Sequence, residues 1–374
     1  MMKLIYKIVC LSLCIMQISC IKDEAPNAEA DIIACTVPAD ILRRSPVIEN
    51  NRVTVMVRAE TDLTALAPEF ELTPGATISP ASGTVRDFST SQYYTVTSED
   101  GNWTKEYEVS FVVGEIQTEY HFENVTSDSG NRYDVFFEVD SATGNTLQWG
   151  SGNAGFAITG AASARDSYPT YSTEEGYVGK GVKLVTRETG SLGAMFGMPI
   201  ASGNIFMGTF NVSAAVGPEE DAALKALQLG WPFRHEPLYV SGYYKYQAGT
   251  EYQVDGVAEP DSTDTWDVYA VFYEVTEEEP MLTAEIVSDN FTHPNIVSVA
   301  LLPDSMRVEA SEWTHFEIPF EMKEGKVIDQ EKLENDGYNV AIVAASSRWG
   351  NYFRGAPGST LYIDELQLIY RKEE

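Results

Sequence analysis

A chain of 374 residues is long enough for two domains, each with its own core, and nothing in that length asks for disulfide staples. With 25 Lys plus Arg against 56 Asp plus Glu, the net charge of −31 repels phosphate backbones and argues against nucleic acid as a partner. The acidity by itself reads as solubility in a salty exterior.

Lys3 and Lys7 precede an apolar stretch, Ile8 to Ile18, that is too short to span a bilayer, the pattern of an export signal over residues 1–19. The next four residues to note, Gln17, Ile18, Ser19 and Cys20, resemble the lipobox of bacterial lipoproteins, with Gln17 in place of the usual leucine-like residue. That resemblance implies lipidation of Cys20, which becomes the first residue of the mature chain. Two or more acyl chains hold a protein at a membrane where one is marginal, so the membrane is an expected partner through Cys20. Residues 20–30 read as a tether. Its charged start, Lys22, Asp23 and Glu24, resembles the export signal of surface-exposed outer-membrane lipoproteins in Gram-negative gut bacteria. Cys10 and Cys14 leave with the signal, and Cys35, alone beside Ile32, Ile33 and Ala34, reads as a small buried hydrophobe.

Residues 31–113 predict a small all-β domain. Val53, Val55 and Val57 alternate with Thr54 and Met56, and Pro74-Gly75 and Ser82-Gly83 mark turns. A hairpin is expected from Tyr93–Thr97 to Lys105–Val113 across Asp100-Gly101. The ordered turns and the closing Tyr107-Glu108-Val109 strand, within FELTPGATISPASGTVRDFSTSQYYTVTSEDGNWTKEYEVSF, are similar to the Ig-like repeats at the N-terminus of many such lipoproteins. The resemblance implies an Ig-like β-sandwich that spaces the next domain from the membrane.

Residues 119–371 again read as strands, with one short helix expected over Glu219–Leu229, between Pro218 and Gly230. Many strands and one helix predict a second all-β sandwich of the jelly-roll kind. At its C-terminal end Val340–Ala345 is a continuous apolar run, the signature of a strand buried on both faces. Leu361 and Ile363 fall out of phase with Leu366 and Leu368, which predicts a bulge near Asp364 and Glu365. The segments GYVGKGVKLVT, FNVSAAVG, GWPFRHEPLYVSGYYKYQAG, DVYAVFYE, WTHFEIPF and GAPGSTLYIDELQL resemble the putative carbohydrate metabolism domain family of surface lipoproteins. This implies a galactose-binding-like jelly roll beside glycan-handling machinery, with outer-membrane proteins as further expected partners.

Sugar recognition uses aromatic faces against the pyranose ring and carboxylates, amides or guanidinium groups against hydroxyls. Trp349, Tyr352 and Arg354 are the leading candidates, because they sit on a Gly-rich loop between the last two strands; Trp231 and Arg234 follow. Alternation in YVSGYYKY puts Tyr244 and Tyr246 on one face with Gly242, so half of these rings are expected in the core. Jelly-roll sugar-binding modules often hold a structural calcium where first and last strands meet, and Glu123 and Asp364 are placed to contribute oxygen ligands. A carboxylate pair for glycoside hydrolysis could be drawn from Asp264, Asp267 and Glu274, or from Glu317 and Glu321, but sequence does not give the spacing such chemistry needs. Gly150 to Gly155 matches GxGxxG; the following FAIT reads as a strand, which argues against a dinucleotide site. His121, His235, His293 and His315 show no ligand spacing. The first expectation is therefore a lipid-anchored, non-catalytic protein that binds an oligo- or polysaccharide. A glycoside hydrolase and an adhesive structural subunit are the alternatives.

Overall fold

The computed structural model describes residues 26–371 apart from 44–45, 50, 59–60, 114–115, 140–145, 216–221 and 277. Cys20 and the signal lie outside the described residues. The fold is all-β, built as sandwiches.

In the N-terminal unit the strands Val47–Glu49, Arg52–Val57, Thr104–Val113, Gln92–Thr97 and Thr77–Ser79 form a five-stranded sheet in that order. Ile32–Thr36 pairs with Glu69–Leu72 on the other side of the core. The hairpin expected across Asp100-Gly101 is present, with Thr97 opposite Thr104. Val53, Val55 and Val57 are fully buried in this core, as their alternation requires. Cys35 is buried beside them, and desolvation pushes its thiol up to about 12. The native chain will therefore leave Cys35 unalkylated by iodoacetamide at about pH 8 and react only once unfolded. Mass spectrometry reads the outcome, and modification of the folded protein would contradict it.

The C-terminal unit faces two sheets across one large core. The first runs Thr170–Thr173, Gly181–Val185, Thr360–Tyr370, Pro237–Gln247, Ala310–Pro319, with Glu119–Tyr120 added beside Thr360–Tyr370. The second runs Asn204–Phe206, Tyr338–Ala345, Asp267–Glu274, Ile296–Leu301, Glu321–Met322. Val340, Ile342 and Ala344 enter the core between the sheets, while Ala341 and Val343 enter a second core under Leu224, Leu227, Leu282 and Phe291. This central strand is buried on both faces because a layer of short helices and strands covers the outside of its sheet. Among the described residues no such layer covers the first sheet, and its strands carry half-exposed positions between buried ones.

The bulge falls where the sequence placed it. Register against Pro237–Gln247 slips between Gln367 and Asp364, Glu365 adopts φ +48°, and Leu361, Ile363, Leu366 and Leu368 all reach the same core. One inserted residue reverses the phase, so two out-of-step pairs share a face.

Two local expectations are corrected. Within the expected helix Glu219–Leu229 the described part is helical over Ala222–Ala226 only, and Leu227–Leu229 is a strand paired with Gly208–Phe210, because ladder partners on both sides capture it. FAIT is not a strand but part of the helix Asn153–Thr159. The glycines before it nonetheless serve packing. A Cβ on Gly150 would lie 2.5 Å from the Phe206 ring, and one on Gly155 would lie 2.9 Å from that of Phe210. The neighbouring strands are antiparallel rather than a βαβ unit, so a dinucleotide cradle still does not form.

The two units are packed together. Met56, on the face of its strand opposite the three valines, joins the large C-terminal core with Ile116. Arg52 bonds Glu108 at 3.0 Å and also reaches Gln148 of the C-terminal unit. Asp336 receives Arg234 through two bonds of 2.8 Å and Arg43 from the N-terminal unit, with the Arg43 and Asp336 side chains 2% and 3% exposed.

Candidate functional site

The uncovered face of the first sheet carries a row of aromatic and cationic side chains crossing all five main strands. Tyr171 pairs with Lys183, Lys183 with Tyr362, and Tyr362 with Lys245; Trp313 stands beside Lys245 where the edge strand bulges. The Lys183 ammonium lies 5.6 Å from the Tyr171 ring centre and 5.0 Å from that of Tyr362. The Lys245 ammonium lies 4.5 Å from Tyr362 and 4.9 Å from Trp313. Four strand spacings give the row a length of roughly 19 Å. Alternation makes it: Val182, Leu184, Leu361, Ile363, Tyr244, Tyr246 and Phe316 take the core positions, leaving Lys183, Tyr362, Lys245 and Trp313 on the other face.

A second group lies beside the row. Tyr177 stacks on Tyr243 with ring centres 3.7 Å apart, the His315 ring is 5.2 Å from Tyr243, and Trp313 meets Tyr177 edge-on at 6.2 Å. The turn that presents Tyr177 is held by the two carboxylates expected to bind calcium. Asp364 accepts the Val178 N–H at 2.9 Å and Glu123 accepts the Lys180 N–H at 3.1 Å. Gly179 is required there, since φ is +62° and a Cβ would strike the Glu123 carboxylate at 2.0 Å. Asp364 is fully buried, and desolvation pushes its carboxyl up to about 6. Among the described residues no group of three His, Cys, Asp or Glu side chains is arranged to hold a metal. Glu123 and Asp364 both anchor this turn.

The Gly-rich loop begins two residues beyond the row, since Gln247 and Thr360 pair next to Lys245 and Tyr362 on the same strands. Trp349 is 41% exposed, tilted 6.2 Å from Tyr352, with the Arg348 guanidinium 5.0 Å from its ring centre. Arg354 is exposed, on a two-residue strand paired with Gln253–Val254. Beneath the loop Asp264 is buried and accepts four bonds: Ser347 Oγ at 2.5 Å, Ser359 Oγ and the Ala356 N–H at 2.7 Å, and the Thr265 N–H at 2.9 Å.

Trp231 and Arg234 stand elsewhere. Trp231 is 4% exposed and its rings belong to the core, so neither face is open to a ligand. Arg234 is committed to Asp336. Of the acids considered for hydrolysis, Asp264 anchors the loop, Asp267 pairs with Arg307 at 2.9 Å and Glu274 pairs with Lys332, while Glu317 and Glu321 are exposed.

The family described as a putative carbohydrate metabolism domain matches residues 121–369, the span that contains both sheets and the loop. The chain belongs to this family. A second match, described as SGBP, N-terminal, covers residues 32–111. A crystal structure from Bacteroides thetaiotaomicron described as a putative glycoside hydrolase is 48% identical, covers 94% of this chain and 100% of its own, and superposes with a TM-score of 0.87. Another so described, from Bacteroides vulgatus, is 43% identical, covers 69% of this chain and 99% of its own, and has a TM-score of 0.64. No curated protein matches the chain.

Within this family member, sequence reasoning missed Tyr171, Lys183, Tyr362, Lys245 and Trp313. A signal for each existed, because the apolar partners of every strand already marked the core phase, and the residues left over were aromatic or lysine.

Proposed function

We propose that the protein is a lipid-anchored, surface-exposed glycan-binding protein without a catalytic role, and that its saccharide surface is the uncovered face of the first sheet, continuing into the Trp349 loop. The observation that carries this reading is the five-strand row from Tyr171 to Trp313. An uncovered sheet face in a soluble sandwich is ordinarily polar, and here it holds rings and ammonium groups instead. Rings meet the apolar side of a pyranose, and Lys and Arg donate to its oxygens. The match to a carbohydrate-related family and to an SGBP-type N-terminal region supports the same reading. The separate engagement of Asp264, Asp267 and Glu274 argues against these acids acting as a hydrolytic pair.

The test is affinity electrophoresis against a panel of polysaccharides, with a reducing-sugar assay alongside. The wild-type chain is expected to be retarded by at least one polymer without releasing sugar. Trp313→Ala and Tyr362→Ala should each weaken that retention about tenfold or more, while the melting temperature moves little. Retention unchanged in both variants would refute the assignment of the surface, and release of reducing sugar would refute the non-catalytic reading.

A further inference from the structure

Resting on that assignment of the sheet face, we infer that the saccharide it takes is anionic, bearing carboxylate or sulfate groups that seat on Lys183 and Lys245. In a chain with 56 acids and 25 basic residues, a lysine readily finds a carboxylate. Other cations do so: Lys105 pairs with Asp31, Lys332 with Glu274 and Arg307 with Asp267. Lys183 and Lys245 pair with no carboxylate among the described residues, although both are half-buried at the centre of the face. The Lys183 ammonium lies within reach of the Tyr362 and Tyr171 hydroxyls and that of Lys245 lies against the Tyr362 and Trp313 rings, and neither kind of partner neutralises a cation. Of the acids on the adjoining part of the face, Glu365 is already matched by His121 at 3.0 Å, and Glu317 lies beyond His315, four residues along the edge strand from Trp313.

The lysines sit on strands two steps apart, so their charges are separated by roughly 10 Å and can meet successive anionic groups along one chain. An anionic group seated directly on an ammonium is within the Debye length at physiological salt, about 8 Å, whereas the acidic surface farther away is largely screened. The rings on either side shield the contact from water, which strengthens a charge-assisted hydrogen bond relative to an exposed one. Neutral polysaccharide would leave both charges unanswered.

The probes are polygalacturonate for carboxylate, dextran sulfate for sulfate ester, and dextran, galactan and xylan as neutral polymers, each cast in native gels with the full chain. Retention by one acidic polymer is expected, and the polymer that retains separates the two sources of charge. Retention should fall about tenfold in Lys183→Met/Lys245→Met, persist in Lys183→Arg/Lys245→Arg, and weaken several-fold as salt rises from about 0.05 to 0.5 M. Because the whole chain is net negative, retention by a polyanion cannot come from bulk charge. Circular dichroism of both double variants guards against misfolding. Retention by neutral polymers alone, or acidic retention untouched by the methionine pair, overturns the charge inference and leaves the glycan surface standing. Retention by no polymer overturns both.

Discussion

Replacing Asp336 with alanine is expected to destabilise the folded chain by about 3–5 kcal/mol, because it strips the shared carboxylate from two arginines, one of them almost fully buried. The residue also follows a short helix with φ +60°, a conformation that alanine tolerates poorly, so backbone strain adds to the loss. Asp336→Asn keeps the shape and tolerates that conformation, and it should fall between wild type and alanine. Burial alone would raise the Asp336 carboxyl, but hydrogen bonds and charge from Arg234 and Arg43 outweigh it and hold the carboxyl below its ordinary value. A lowered value means the stabilisation is complete above the unfolded carboxylate range, near pH 4, and is lost as pH falls through the folded value. Urea unfolding across pH should show the gap between wild type and Asp336→Asn closing in acid. A constant gap, or a loss under about 1 kcal/mol for alanine, would show that the triad does not hold the two units together.

Asp264→Ala is expected to cost about 3 kcal/mol or more and to loosen the loop that carries Trp349. It removes the common acceptor of Ser347, Ser359, Ala356 and Thr265, leaving buried donors without that partner. Desolvation raises the Asp264 carboxyl even though these donors lower it, so its pH signature is opposite to that of Asp336. Its favourable contribution is complete in acid and declines as pH rises through the folded value. Limited trypsin digestion gives a direct readout, since Arg348 and Arg354 flank the exposed tip. The variant should be cut after one of them at enzyme levels that leave wild type intact. Equal resistance in the two proteins would show that the loop is held by other contacts. Glycan retention should weaken only if Trp349 shares the surface with the row, which makes the same variant a check on how far that surface extends.

The class of fold, the strand phases and the bulge are legible in the order of residues alone. These depend on a local rule, the two-residue alternation of side chains, and on local exceptions to it. Val53, Val55 and Val57 turned inward, Val340–Ala345 lay buried on both sides, and Asp364 and Glu365 broke the phase of the last strand. What became of the other faces depends on how the strands and the two units pack. Met56 is covered because the second unit packs on it, Arg234 is taken by Asp336, and Trp231 is enclosed by the core. The row of Tyr171, Lys183, Tyr362, Lys245 and Trp313 exists only through strand order and register, which place side by side residues far apart in the chain. Alternation fixes which way a side chain points. Long-range hydrogen bonding fixes its neighbours, and a recognition surface is made of neighbours.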